Sequence, residues 1–168
     1  TIPFSILARH GFIAKTLLTS LQNEGILNKS RLDEFNQSIH TIASQFVEDT
    51  NKLKNNQHSF EIFIQKYGHL RPGTYDILSP RYDQMNKNVF LASNNNCNNK
   101  KDKDNIQLFD LSKSERDKVN KLLQKHNFCE FNADHLFNYC REATAGREYG
   151  KFVFTKVLSN IIEIIANF

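Results

Sequence analysis

The chain has 168 residues, of which 39% are hydrophobic, and a formal net charge of +4. That length suits one domain able to bury a core of its own, and fourteen phenylalanines offset the low apolar share because each buries a large area. The mild charge without a basic, aromatic-studded stripe argues against nucleic acid, and no apolar run approaches the ~20 residues that span a bilayer.

Residues 4–24 are predicted to form a helix, because Ile6, Leu7, His10, Ile13, Ala14, Leu17, Leu18 and Leu21 recur at helical spacing. Gly25 followed by Ile26 supplies a terminating glycine with an apolar residue behind it. Ser30 with Asp33 marks the next start. From there Leu32, Phe35, Ile39, Ile42, Ala43, Phe46, Val47 and Leu53 trace one stripe to about Asn55, giving a second long helix antiparallel to the first. Ser59 caps a shorter helix carrying Phe60, Phe63, Ile64 and Tyr67, which Gly68 ends.

The segment "YGHLRPGTYDILSPRY" (67–82) then concentrates two of the chain's three prolines with His69, Arg71, Tyr75, Asp76 and Arg81. Proline fixes φ and the following Gly73 favours a tight turn, while Pro80 holds Ser79 away from helix. A backbone stiffened twice suits a loop that presents polar side chains to a ligand. An Asp76–Arg71 or Asp76–Arg81 pair that merely clamps the loop is the competing reading.

The tract NNNCNNKKDKDN (94–105) lacks the apolar surface to offset its ordering entropy, so residues 93–105 are expected to be a disordered surface insertion. Ser112 and Glu115 form a capping-box pattern before Val119, Leu122 and Leu123. A last helical stretch runs from about Ala133 to Asn167, with a break expected near its glycines. "KFVFTKV" (151–157) fits strand alternation and helical register equally well. The fold expected is mostly α: one irregular domain of five or six helices over 1–168, with one rigid functional loop. Thr1 in the first position suggests a fragment of a larger multidomain protein. Three cysteines without paired spacing fit a reducing, cytoplasmic setting.

Three motif-like stretches fail on spacing or context. Arg9-His10-Gly11 lies inside a helical pattern rather than after a strand. "GREYGK" (146–151) has only three residues between its glycines and Phe152 where a phosphate-binding loop needs Ser or Thr. His126 and Cys129 lack the further ligands of a metal site, so no metal is expected.

On the last helix, Ala143, Gly146, Gly150, Phe154, Leu158 and Ile161 share one face with Arg147, and Lys151 lies beside it. A cation on a buried side requires a partner or a ligand. Either the glycines permit a tight helix crossing with Arg147 in an internal ion pair, or they and Arg147 line a small basic recess.

"FIQKYGHLRPGTYDILSPRYD" (63–83) with "GREYGKFVFTKVLSNIIEII" (146–165) resembles the central helical region of phosphoenolpyruvate synthase-like phosphotransferases, a group that includes the rifampicin phosphotransferases. "ILARHGFIAKTLL" resembles the helix opening that region. The resemblance covers most of the chain outside 84–130. It implies a parent protein with an ATP-grasp domain ahead of this region and a swivelling phosphohistidine domain after it, ATP and Mg2+ serving that parent. None of the six histidines stands in a carrier context and no ATP-grasp loop is present, so no cofactor and no catalytic residue is assigned to this chain. It would be the middle, acceptor-binding domain, taking a small molecule. His69, Arg71, Tyr75, Asp76 and Arg81 would orient the acceptor; Arg147 and Lys151 would face its anionic group, with Glu148 as an orienter. The rifampicin-modifying members carry a different tripeptide in place of "LRP", which leaves the acceptor open. The rival expectation is a non-catalytic helical scaffold or docking module.

Overall fold

The structure, a computed structural model, describes residues 2–72, 79–93 and 109–166. Seven α-helices hold most of them: α1 (Ile2–Asn23), α2 (Lys29–Ser38), α3 (Ile42–Lys54), α4 (Phe60–Tyr67), α5 (Lys87–Ser93), α6 (Lys113–Lys125) and α7 (Ala133–Ala166), with a short 3-10 turn at Tyr82–Gln84. The mostly α expectation therefore holds, with no strand among the described residues. Tyr75, Asp76 and nearly all of the 93–105 insertion lie outside the described residues.

The chain forms two compact units: Thr1–Thr41 with Asn105–Gly150, and Ile42–Asp104 with Lys151–Phe168. In the first, α1 ends where the sequence places its stop. Gly25 takes a positive φ of 65°, open to glycine at little cost, and the Ile26 amide donates to the Leu21 carbonyl at 3.0 Å. Ile26 then packs on the core of Leu18, Leu21, Leu27, Phe35 and Phe137. α6 opens with the expected box, Ser112 accepting from the Glu115 amide while the Glu115 side chain accepts from the Ser112 amide. Arg31 ties α2 to that turn, donating to Glu115 at 3.0 and 3.1 Å and to the Asp110 carbonyl at 2.6 Å.

Where α1 meets α7 the contact is made of small residues. A Cβ on Gly11 would sit 2.5 Å from Cδ of Arg147, and one on Gly150 would sit 3.0 Å from Leu7 and 3.3 Å from Phe4. Gly146 and Gly150 do not break α7, which runs unbroken for 34 residues. Each glycine costs about 1 kcal/mol of helix propensity, and here that cost is met by side chains of α1 lying directly on bare backbone. Cys140, fully buried in the same core, has its thiol pushed up to about 12 by burial and is inert packing.

The second unit is built on aromatic rings. Phe63, Tyr67, Tyr82 and Phe90 are buried with Leu53, joined by edge-on and tilted contacts at 4.9 Å between centroids for Phe63–Tyr67, Phe63–Phe90 and Tyr82–Phe90. Tyr67 sends its hydroxyl out to Asp49 at 2.8 Å, so a ring with a polar tip fills the core without leaving that tip unsatisfied. Ser59 caps α4 as its sequence suggests, accepting from the Glu61 amide.

The helix expected over 30–55 is two helices. The Ser38 hydroxyl donates to the Phe35 carbonyl at 2.7 Å, competing with the amide that would continue the helix. Ile39 instead takes an extended conformation (φ −78°, ψ 117°) and turns into the first unit's core. The start also moves: Asn28, not Ser30, accepts from the Arg31 amide.

Gly68 closes α4 in an ordinary right-handed conformation, φ −56°, so backbone entropy alone would favour alanine there. Space decides otherwise. A Cβ would lie 2.5 Å from the Ile64 carbonyl oxygen and 2.9 Å from Cβ of Asp83. Gly68→Ala is expected to destabilise the second unit by about 1–3 kcal/mol through overpacking, read as a lower urea midpoint by circular dichroism. A midpoint unchanged or raised would contradict this crowding.

Candidate functional site

His69, Arg71 and Arg81 are brought together in the second unit, on a support that the sequence reading did not supply. Two backbone bonds lay the segment after Ser79 alongside the end of α4: the Tyr82 amide donates to Leu70 at 2.9 Å and the Asp83 amide to Gly68 at 3.0 Å. One face of α7, Phe152, Lys156, Ser159 and Glu163, repeats at helical spacing and serves the same cluster. Ser159 is buried and donates its hydroxyl to the His69 carbonyl at 3.1 Å.

Each arginine is met from both sides. Arg71, its side chain 12% exposed, bonds the Ser79 carbonyl at 2.6 Å and Glu163 at 3.0 Å. Arg81, equally covered, holds Asp83 through two bonds and reaches Asn160 at 3.3 Å. Gln84 closes the circuit, accepting from the Arg81 amide at 3.0 Å and donating to Glu163 at 3.3 Å. The carboxylates serving these arginines are Glu163 and Asp83; Asp76, the partner anticipated from the sequence, lies outside the described residues.

His69 is the exception in this satisfied network. It is 4% exposed, its ring stands edge-on to Phe152 at 4.7 Å, and its Nε2 is buried with no hydrogen-bond partner among the described residues. Burial lowers its pKa to about 4, helped by the nearby charges of Lys156 and Arg81 and opposed by Asp83 and a backbone bond at Phe152. At neutral pH the ring is therefore uncharged, and one nitrogen remains available for a donor or acceptor.

Arg147 belongs to the first unit. Its side chain lies across Gly11, its guanidinium sits 5.1 Å from the centre of the Phe12 ring, and its Nε is 3.8 Å from Glu148. The room beside Gly146 and Gly150, read as a basic recess, is taken by Leu7 and Phe4. Lys151 is an exposed residue of the second unit. An open groove of about 590 Å³ follows α1 past Phe4, Ala8, Arg9, Phe12 and Ile13.

No family model, curated protein or solved structure matches the chain.

Asp83, Gln84, Asn160 and Glu163 were missed by the sequence reading. Glu163 did leave a signal: it is the lone charge in "NIIEIIA", and a charge placed in an apolar helical run needs a partner. Among the described residues no helix is long and apolar enough to cross a membrane, and no group of three or more His, Cys, Asp or Glu residues is placed to hold a metal ion.

Proposed function

We propose that the chain is the middle, acceptor-binding domain of an ATP-dependent phosphotransferase resembling phosphoenolpyruvate synthase, acting with ATP-grasp and phosphohistidine domains of the same parent and located in the cytoplasm. The observation that carries this reading is the cluster itself. The "GH-R-P" and "PR" residues that make the resemblance, His69, Arg71 and Arg81, converge on one network. Arg71 and Arg81 stand with Glu163 and Asp83 beside an uncharged imidazole, and Lys156 is near enough to lower that imidazole's pKa. Such an environment suits a small anionic acceptor and would offset charge on a transferring phosphoryl group. Tyr75 and Asp76, outside the described residues, keep the roles that the resemblance implies for them. Arg147, Lys151 and Glu148 are less well supported, since Arg147 is already engaged with Phe12 and Glu148. The apolar groove on α1, with Phe12 59% and Ile13 42% exposed, is the kind of surface that neighbouring domains cover.

The second reading, a non-catalytic helical scaffold, is favoured by the way the charges close on one another, Arg71 on Glu163 and Arg81 on Asp83. One experiment separates the two. Titrating the 168-residue chain with phosphoenolpyruvate and with inorganic phosphate, and following the His69 imidazole by NMR, is expected to show saturable shifts. Arg71→Ala should weaken them at least tenfold, the loss of a charge-assisted contact of about 1.5–3 kcal/mol. Absence of any shift, in a gene that encodes no ATP-grasp segment ahead of this region and no phosphohistidine segment after it, would leave the scaffold.

A further inference from the structure

The last stretch of α7, residues 151–166, rests on the second unit with little apolar surface buried. Among residues 151–165 Ser159 alone is buried, while Val157, Leu158 and Ile161 are 54%, 45% and 48% exposed. Phe152 is the residue of this stretch that joins the aromatic core, edge-on to His69 at 4.7 Å and to Tyr67 at 5.9 Å. Polar bonds follow along the same side: Ser159 to the His69 carbonyl, Asn160 with Arg81, and Glu163 with Arg71 and Gln84. An element held by so few buried apolar contacts opens at less cost than the unit unfolds.

We propose that residues 151–166 form a strap that proton uptake by the His69 imidazole releases while the rest of the second unit stays folded. His69 lies at the centre of the attachments. Gly68 and Leu70, on either side of it, accept the Asp83 and Tyr82 amides, and its own carbonyl is taken by Ser159 of the strap. The ring is covered by Phe152 of the same strap. A charge on the ring would therefore be held away from water, which is costly. Of the two sides that enclose the ring, the segment 79–84 is the fixed one, since Tyr82 is buried among Leu53, Phe63 and Phe90. The strap is the side that can lift.

The neighbouring charges act in the same sense. Burial lowers the ring's pKa to about 4, and Lys156 on the strap and Arg81 in the segment 79–84 add to it; Asp83 opposes them but is bonded twice by Arg81. Glu163 is engaged by Arg71, and from α4 Lys66 and Tyr67 are both bonded to Asp49. The docked ring thus resists a proton that the released ring accepts with an ordinary pKa of about 6.5. The hold is complete above that value and is lost as pH falls toward 4. The inference does not depend on the phosphotransferase reading, since it concerns only how the strap is fastened.

Pulsed electron paramagnetic resonance distances test it in a Cys97→Ser, Cys129→Ser background, which leaves only the buried Cys140. Spin labels go on Ile62→Cys in α4 and Ile165→Cys on the strap, positions 58% and 69% exposed in the parent. One distance is expected at pH 7.5. At pH 4.5 a second, longer population should appear while circular dichroism keeps its helical signal. His69→Gln, neutral at both pH values, should keep the single distance at both. Ser159→Ala removes one bond to the strap and should raise the midpoint of release by roughly half to one pH unit. A distance unchanged at pH 4.5, or a change equally present in His69→Gln because carboxylates are the trigger, overturns the proposal. An unmoved midpoint in Ser159→Ala overturns it as well.

Discussion

Phe35→Ala is expected to be the most damaging single truncation in the first unit, costing about 3–5 kcal/mol. The ring is fully buried, edge-on to Phe137 at 5.0 Å and to Phe109 at 5.2 Å, with the Arg141 guanidinium 5.6 Å from its centre. Alanine removes the transfer energy of the ring and also both aromatic contacts, and it leaves a cavity in a core that Leu32 and Ile39 share. Domains of this size have about 5–15 kcal/mol in hand, so the loss takes a large share of the total. Urea unfolding followed by circular dichroism provides the measurement. Phe128, 54% exposed, is the control: its alanine variant should fall within about 0.5 kcal/mol of the parent. Equal effects at the two positions would mean that Phe35 is not the centre of this core.

The same comparison marks what the sequence made legible. Caps and stops were readable because they depend on a few neighbouring residues: Gly25, Ser59 and the Ser112–Glu115 box all act where their chemistry places them. The class was readable because helical periodicity is a local property. The break after Ser38 was not, since the stripe continues in phase through Ile39 and Ile42, while Ile39 itself takes an extended conformation and joins the first unit's core. Helix α5 is short, has no strong periodicity and is held by Phe90 against Tyr82 and against Phe63, which lies in another helix. At the candidate site the cations were visible and their carboxylates were not. Arg71 and Glu163 are 92 positions apart, and no local pattern announces such a pair. The glycines of α7 were visible as an anomaly, but whether bare backbone receives a ligand or another helix depends on what folds onto it, and α1 does.

Acid should unfold the second unit earlier than carboxylate protonation alone would, through His69. The folded pKa is about 4 against about 6.5 for an unrestrained imidazole, so the native state resists the proton that the unfolded chain accepts. A depressed histidine contributes stability that is complete above pH 6.5 and is lost progressively as pH falls toward 4, by about 3 kcal/mol in all. The window is separable from that of the acids. Asp49, where burial pushes upward but bonds from Tyr67 and Lys66 prevail, and Glu115, held down by Arg31, both titrate below the ordinary carboxylate range. Between pH 6.5 and 4.5, therefore, His69 adds a slope of unfolding free energy against pH in this unit that Asp49 does not supply. His69→Gln should lower stability at pH 7.5, where the imidazole packs on Phe152, yet flatten the slope across that window, so that parent and variant converge in acid. Urea unfolding at half-unit steps of pH gives both quantities, and the His69 ring protons in NMR report the midpoint directly. Parallel curves for the two proteins, or a ring that titrates near 6.5, would place His69 in water, where its bare Nε2 would need no ligand and the cluster around it no further explanation.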